Sequence, residues 1–249
     1  MPYEEAPKGE GLSFDAEGAG YFTLGERENR PDAPLDYYPR DLSSSIATVA
    51  QFQQGVFPTP EYDGAEDALS FSSGMTAICV LMLAYASQGD VIVHSGPLYA
   101  ASEGFVANVL AKFGVTYVDF PASATREEID AVLEKAKAQA SDQGGKVCMI
   151  YLESPGNPTN ALVDVEAVKA ARDDALDWDC PIAIDNTFLG PLWQRPLEHG
   201  ADIVCYSLTK YVGGHSDLVA GSIAGDEKWM NPVRMIRNTM GGLADPNTA

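Results

Sequence analysis

The feature that most constrains the fold is a regular alternation of short β-rich runs with longer helix-like segments, beginning near residue 68. Strands are predicted at residues 68–72, 91–94, 116–120, 147–153, 182–185 and 203–206. Helices are predicted at residues 75–87, 101–113, 126–140, 165–175 and 228–239, the third opened by a capping box of Thr125 and Glu128. Such alternation predicts an α/β domain, in which helices cover a mostly parallel sheet.

The first sixty residues differ from the rest, since they are rich in Gly, Pro, Asp and Glu and lack sustained periodicity. We therefore predict an N-terminal arm at 1–60 and one large domain at 61–249. Residues 1–34 are expected to be extended or partly disordered, and 42–52 to form a helix. The longest apolar run, 77–86, is too short to cross a membrane, and the N-terminus lacks a signal-peptide pattern. A soluble, cytoplasmic protein is expected.

The charge of the chain restricts its partners. Sixteen basic and thirty-six acidic residues give a formal net charge of -20. A surface this negative repels phosphate backbones and anionic lipids, which argues against nucleic-acid and membrane partners. The four cysteines are widely spaced and do not cluster with the histidines, so neither a metal site nor a disulfide framework is predicted.

Polar residues follow several of the predicted strands. Ligands of open α/β sheets bind beyond the carboxyl ends of the strands, so these positions are the informative ones. They are Ser73-Gly74-Met75, Asn157, Asp185-Asn186-Thr187 and Ser207-Leu208-Thr209-Lys210.

Lys210 follows an apolar strand and lies beside the hydroxyls of Ser207 and Thr209, with glycines after it. Two hydroxyls could bind a phosphate while the amine reaches an aldehyde, and burial or nearby charge makes a lysine a Schiff-base nucleophile. The alternative is a solvated loop lysine. The N–H groups at Gly74 and Met75 would suit a phosphate at a helix N-terminus, although a Ser-Gly pair can also be a simple turn.

Three further residues have two interpretations each. Asp185 ends a buried strand and could pair with a protonated pyridine nitrogen, or it could cap the next turn. Tyr99 could stack on a flat ring and move protons, or lie half-buried at a helix start. Asn157 could donate a hydrogen bond to a ligand, or serve only the turn around it.

Four segments resemble the Cys/Met-metabolism enzymes that use pyridoxal 5'-phosphate (PLP), a family that includes cystathionine γ-synthases, cystathionine γ-lyases, methionine γ-lyases and O-acylhomoserine sulfhydrylases. They are Ser-Ser-Gly-Met-Thr-Ala-Ile, Glu-Ser-Pro-Gly-Asn-Pro-Thr, Ile-Asp-Asn-Thr-Phe, and the long segment from Ala-Asp-Ile-Val-Cys-Tyr-Ser through Leu-Thr-Lys-Tyr-Val to Gly-Gly-His-Ser-Asp. The resemblance runs from about Tyr37 to the C-terminus. It implies the large domain of a fold-type-I PLP-dependent transferase.

The resemblance also implies roles. Lys210 would bind PLP covalently, Asp185 would pair with the pyridine nitrogen, and Tyr99 would stack on the ring and assist the leaving group. Asn157 would contact the ring hydroxyl. The phosphate would be held by Gly74, Met75, Ser207 and Thr209. Tyr38 and Arg40 would reach the phosphate of a neighbouring subunit, which implies a homodimer or homotetramer.

The activity implied is γ-replacement or γ-elimination on a homoserine-derived or sulfur-containing amino acid. Two alternatives remain open: a PLP enzyme of another reaction type, such as β-elimination or aminotransfer, and a non-catalytic PLP-binding fragment. The chain stops where the C-terminal domain of the family would begin, so we expect that domain to be missing. Arg234 and Arg237 are expected to be solvated or to face it.

Overall fold

The computed structural model describes the backbone of three short strands and the continuous stretch of residues 63–244. The short strands are β1 (Gly9–Phe14), β2 (Gly20–Gly25) and β3 (Asp36–Pro39), which form an antiparallel sheet. The sequence did not predict these strands. The glycines of β1 and β2 weaken β-propensity and obscure the alternation, and β3 is only four residues long. The helix predicted at 42–52 lies outside the described residues.

A seven-stranded sheet forms the centre of the large domain. Its strands are β4 (Asp67–Phe71), β5 (Val91–Gly96), β6 (Thr116–Pro121), β7 (Val147–Glu153), β8 (Ile182–Asp185), β9 (Ile203–Ser207) and β10 (Gly221–Gly225). They are ordered β4-β10-β9-β8-β7-β5-β6. β10 is antiparallel to both neighbours, whereas β9, β8, β7, β5 and β6 are paired in parallel. This confirms the predicted mostly parallel sheet.

Helices cover both faces of this sheet. They are α1 (Gly74–Tyr85), α2 (Ala100–Gly104), α3 (Arg126–Asp142), α4 (Val165–Ala175), α5 (Gly190–Trp193) and α6 (Glu227–Met240). α2 continues through a π-helical turn (Phe105–Val109) and a 3-10 turn (Leu110–Phe113), and a second 3-10 turn spans Pro196–His199. α3 and α4 pack on one apolar cluster, while α1, α6 and the turns after α2 pack on the other. Every residue of β7 is buried, as expected for a central parallel strand.

The predicted strands and helices from residue 68 onward are all present, and the capping box at Thr125 and Glu128 is confirmed. β10 was not predicted, because Gly-Ser-Ile-Ala-Gly lacks the bulky β-branched run typical of a strand. At least one of its small residues is required by close packing against the backbone of a neighbouring segment. A Cβ on Gly221 would lie 2.3 Å from the carbonyl oxygen of Ser73, so only glycine fits there.

The two arginines of α6 are half-buried and contact this domain, so the expectation that they are solvated is wrong, while the expectation that they face a missing domain stays a prediction. Arg234 forms an ion pair with Asp67 at the start of β4. The Nε of Arg237 donates a hydrogen bond to the carbonyl oxygen of Ser70 at 2.8 Å, and its guanidinium lies 5.6 Å from the ring centre of Phe71. Both arginines therefore attach α6 to the edge strand of the sheet.

Within residues 63–244 and the three short strands, no helix combines the length and apolar character needed to span a bilayer.

Candidate functional site

The N-terminus of α1 packs directly against the carboxyl end of β9. A Cβ on Gly74 would lie 2.6 Å from the Cβ and 2.8 Å from the Cα of Ser207. Gly221 of β10 is paired with Ser207 on one side and with Phe71 of β4 on the other. The two segments predicted to hold a phosphate are thus in contact, and the contact depends on glycine.

Backbone N–H groups are available at this contact. Ser73 caps α1 by accepting a hydrogen bond from the Thr76 N–H at 3.0 Å, and its hydroxyl also lies 2.8 Å from that of Thr76. Gly74 and Met75 occupy the first helical positions, where N–H groups have no partner within the helix. These N–H groups and the helix dipole favour an anion at this end.

Thr187 connects the acidic residue of the site to the same contact. Its N–H donates to Asp185 Oδ1 at 2.9 Å, and its hydroxyl oxygen accepts the Ser207 N–H at 2.8 Å. Because one residue bridges both, Asp185 at the end of β8 and Ser207 at the end of β9 are held in a fixed relation. Thr187 lies in a motif that the sequence singled out, but no role was predicted for it.

Asp185 is buried, with 8% of its surface exposed. Burial raises the pKa of its carboxyl group above the usual range, while hydrogen bonds from Thr187 oppose that shift. No positive charge among the described residues lowers this pKa. A cationic ligand at this carboxylate would relieve the cost of burying the charge.

Lys210 lies in a turn beyond β9, where its N–H donates to the carbonyl oxygen of Ser207 at 3.2 Å and its side chain is exposed. Thr209 is tied to the start of β10. Its hydroxyl accepts the Ala220 N–H at 3.1 Å and lies 3.2 Å from the Ala220 carbonyl oxygen, to which it donates. A hydroxyl has one O–H, so Thr209 can donate it to a phosphate only if its hydrogen bond to the Ala220 carbonyl oxygen breaks.

Glu153 connects Tyr99 to Asn157, and the sequence did not identify it. The Tyr99 N–H donates to Glu153 Oε2 at 2.8 Å, and the Asn157 N–H donates to Oε1 at 2.7 Å. Glu153 is paired with Asp185 in the register of β7 and β8, so both carboxyls end neighbouring strands. Burial and the charge of Asp185 raise the pKa of Glu153 to about 7, against the two N–H donors. The usable signal was a carboxylate at the end of an apolar strand, as at Asp185.

The remaining predicted residues differ in how far the structure describes them. Tyr99 directly precedes α2 and is 45% exposed. Met75 contacts α2, since its sulfur accepts a hydrogen bond from the Ser102 hydroxyl at 3.8 Å. Tyr38 lies in β3, but its side chain is outside the described part of the chain. Arg40 lies outside the described residues altogether. The predictions for Tyr38 and Arg40 therefore stay predictions.

Comparison with known proteins bears on this site. The model of the Cys/Met metabolism PLP-dependent enzyme family matches residues 48–249. The chain is 36% identical over 200 residues to L-methionine gamma-lyase of Streptomyces avermitilis, covering 80% of this chain and 43% of that protein. It is 37% identical over 187 residues to chloroplastic cystathionine gamma-synthase 1 of Arabidopsis thaliana, covering 75% of this chain and 31% of that protein.

Cystathionine gamma-lyase of Bacillus subtilis is 34% identical over 190 residues, covering 75% of this chain and 45% of that enzyme. The chain therefore spans less than half the length of these relatives. The matched segment contains Gly74, Asp185 and Lys210, and with them the network that joins α1, β8 and β9. The chain belongs to the Cys/Met metabolism family of PLP-dependent enzymes, and its large domain has the fold-type-I architecture.

Proposed function

We propose that this chain is the PLP-binding part of an enzyme that eliminates or replaces a group at the γ-carbon of a sulfur-containing or homoserine-derived amino acid. The observation that carries the proposal is the single network in which Gly74 contacts Ser207, and Thr187 bridges Ser207 to Asp185. The named relatives include two γ-lyases and a γ-synthase at similar identity, so the proposal is the chemistry that these names share.

The residues present fit PLP at both of its charged ends. The N–H groups of Gly74 and Met75, with the Ser207 hydroxyl, offer donors for a phosphate, and a Cβ on Gly74 would fill this cradle. Asp185 offers a buried carboxylate that lacks a positive partner among the described residues. When bound, PLP supplies an electron sink at the substrate's α-carbon, which a negative partner at its ring nitrogen strengthens.

The other residues of the site have roles in this proposal. Lys210 binds the cofactor covalently and carries protons between substrate carbons. Tyr99 stacks on the ring and assists the leaving group, and Asn157 donates a hydrogen bond to the ring hydroxyl. Tyr38 and Arg40 reach the phosphate of a neighbouring subunit, so the complete enzyme is a homodimer or homotetramer, which we place in the cytoplasm.

The experiment adds PLP to the purified chain, reduces it with borohydride and maps the labelled peptide. Lys210→Ala removes the predicted attachment site, and Lys112→Ala removes a different lysine, at the end of the 3-10 turn after α2. We expect a visible absorption band and one labelled peptide in the original chain and in Lys112→Ala, and neither in Lys210→Ala. Labelling of another lysine would refute the assignment.

The reaction class is tested with methionine, cystathionine and an O-acylhomoserine as substrates. γ-Elimination releases a four-carbon α-keto acid together with an equal amount of ammonia. β-Elimination from cystathionine yields homocysteine with pyruvate and ammonia, whereas aminotransfer yields a keto acid without ammonia. These products separate γ-elimination from the other PLP chemistries. γ-Replacement is tested on the O-acylhomoserine with cysteine present, and it yields cystathionine and the free carboxylic acid without ammonia.

A further inference from the structure

Glu153 ends β7 at the same edge of the sheet as the proposed cofactor site, and it takes no direct part in the proposed reaction. Only 5% of its surface is exposed, and its own N–H donates to the Ser95 hydroxyl at 3.1 Å. Both carboxylate oxygens accept backbone N–H groups, from Tyr99 and from Asn157. These donors belong to two separate loops, which follow β5 and β7 respectively.

We propose that Glu153 is a positioning residue that fixes Tyr99 and Asn157 relative to each other by accepting a hydrogen bond from the backbone of each. The inference rests on the proposed function, which places those two side chains against the cofactor ring. Above pH 7 the Glu153 carboxyl is ionised. Hydrogen bonds from N–H groups to an ionised carboxylate are about twice as strong as neutral ones, so this buried carboxylate can then order both loops.

The position of Glu153 in the sheet explains why a carboxylate serves here. β7 is a central strand with every residue buried, so its last side chain has a fixed origin. The loop carrying Tyr99 lies 54 residues earlier in the chain, and Asn157 lies four residues later. No local turn can hold these two segments together, whereas a two-oxygen acceptor between them can.

The experiment uses Glu153→Gln and a charge-matched control, Glu103→Gln, whose side chain is exposed on α2. The amide that replaces the Glu153 carboxylate would retain one oxygen acceptor and would turn an NH₂ donor towards the other N–H. In Glu153→Gln we expect PLP affinity to change by less than about threefold, because Gly74, Asp185 and Lys210 are untouched. We expect the pH midpoint of the bound cofactor's visible band to rise by about one unit, since a misplaced Asn157 stabilises the charged ring oxygen less.

An Asn157→Ala variant tests whether Glu153 acts through Asn157. If it does, the double variant with Glu153→Gln and Asn157→Ala shifts the midpoint by as much as Asn157→Ala alone. Independent action would instead give the sum of the two single shifts. Glu103→Gln should leave the midpoint unchanged. A Glu153→Gln variant that is less stable but keeps the original midpoint would overturn the proposal, because that result indicates a purely structural residue.

A measurement on the original chain keeps the inference testable if Glu153→Gln does not fold. The amides of Tyr99 and Asn157 should exchange with solvent at least about 100-fold more slowly than in an unstructured peptide, because both are bonded to a buried acceptor. Unprotected amides at both positions would overturn the proposal. Failure of the proposed function looks different, since PLP would then not attach to Lys210 in the original chain.

Discussion

Replacing Gly74 by alanine should weaken PLP binding although it adds a single methyl group. The new Cβ would lie 2.6 Å from the Cβ of Ser207, while ordinary van der Waals contact begins at 3.4 Å, so one backbone must move by about 0.8 Å. Ser207 cannot move freely, because it is held by its pairing with Gly221 and by the hydrogen bond from its N–H to the Thr187 hydroxyl. The clash therefore displaces the first turn of α1.

The magnitude follows from this displacement. Overpacking of this kind costs about 1–3 kcal/mol of stability. A hydrogen bond from Gly74 or Met75 to phosphate that lengthens by about 0.8 Å leaves the usual range of 2.7–3.2 Å. Losing one hydrogen bond to a charged group costs about 1.5–3 kcal/mol, which corresponds to a roughly 10- to 150-fold weaker affinity for PLP.

The assay combines a PLP titration, followed by absorbance, with urea unfolding of the chain without added PLP. Gly104→Ala is the matched control, because Gly104 has helical dihedral angles and a Cβ there would find its nearest atom at 3.8 Å. It should bind PLP normally and gain up to about 1 kcal/mol of stability. If Gly74→Ala matched the original chain in both affinity and stability, the close-contact argument would be wrong.

Three further outcomes are expected. Asp185→Asn should still bind PLP but exchange the α-proton of a bound substrate about 100-fold more slowly by NMR, because an amide is no negative partner for the ring nitrogen. The pKa of Glu153 is about 7 in the folded chain and 4.5 in an unfolded one, so the folded state binds this proton more tightly. The resulting stabilisation is fully present below pH 4.5 and is lost as the pH rises through 7. Glutamine does not titrate, so the free energy of unfolding of Glu153→Gln, measured in urea, should rise by about 3 kcal/mol relative to that of the original chain as the pH goes from 4.5 to 8. Arg237→Ala should lose about 1–2 kcal/mol by urea unfolding, since Ser70 loses its donor, while Lys137→Ala, which breaks an exposed helical pair, should lose less than about 0.5 kcal/mol.

The sequence predicted the parallel strands well because their signal is local. β7 and β8 are short, wholly apolar runs that end in an acidic residue, and turn residues follow them. Since parallel strands end at one edge, the residues following them were expected to converge, and Gly74 and Ser207 do contact each other. The resemblance supplied roles for these residues, whereas the pattern alone supplied only their common position.

The features that the sequence did not predict depend on distant partners. β10 consists of small residues, and its place between β9 and β4 depends on what the backbones of both neighbours allow. Arg237 bonds to Ser70, 167 positions earlier, so its helix position alone could not distinguish a solvated side chain from an attached one. Glu153 was counted only as the last residue of a strand, because its partners are backbone N–H groups of other loops.

The Asp185 and Glu153 carboxyls differ in the hydrogen bonds that they receive, and this difference favours Asp185 as the partner of a cationic ligand. Both groups are buried at the ends of paired strands, and a buried carboxylate is costly unless it is paired or hydrogen-bonded. Glu153 receives N–H groups from two separate loops, which occupy both of its oxygens. Among the described residues, Asp185 receives hydrogen bonds from Thr187 alone, so its charge is less well compensated there. A cationic ring nitrogen gains more at the less compensated carboxylate, because it relieves the larger burial cost there.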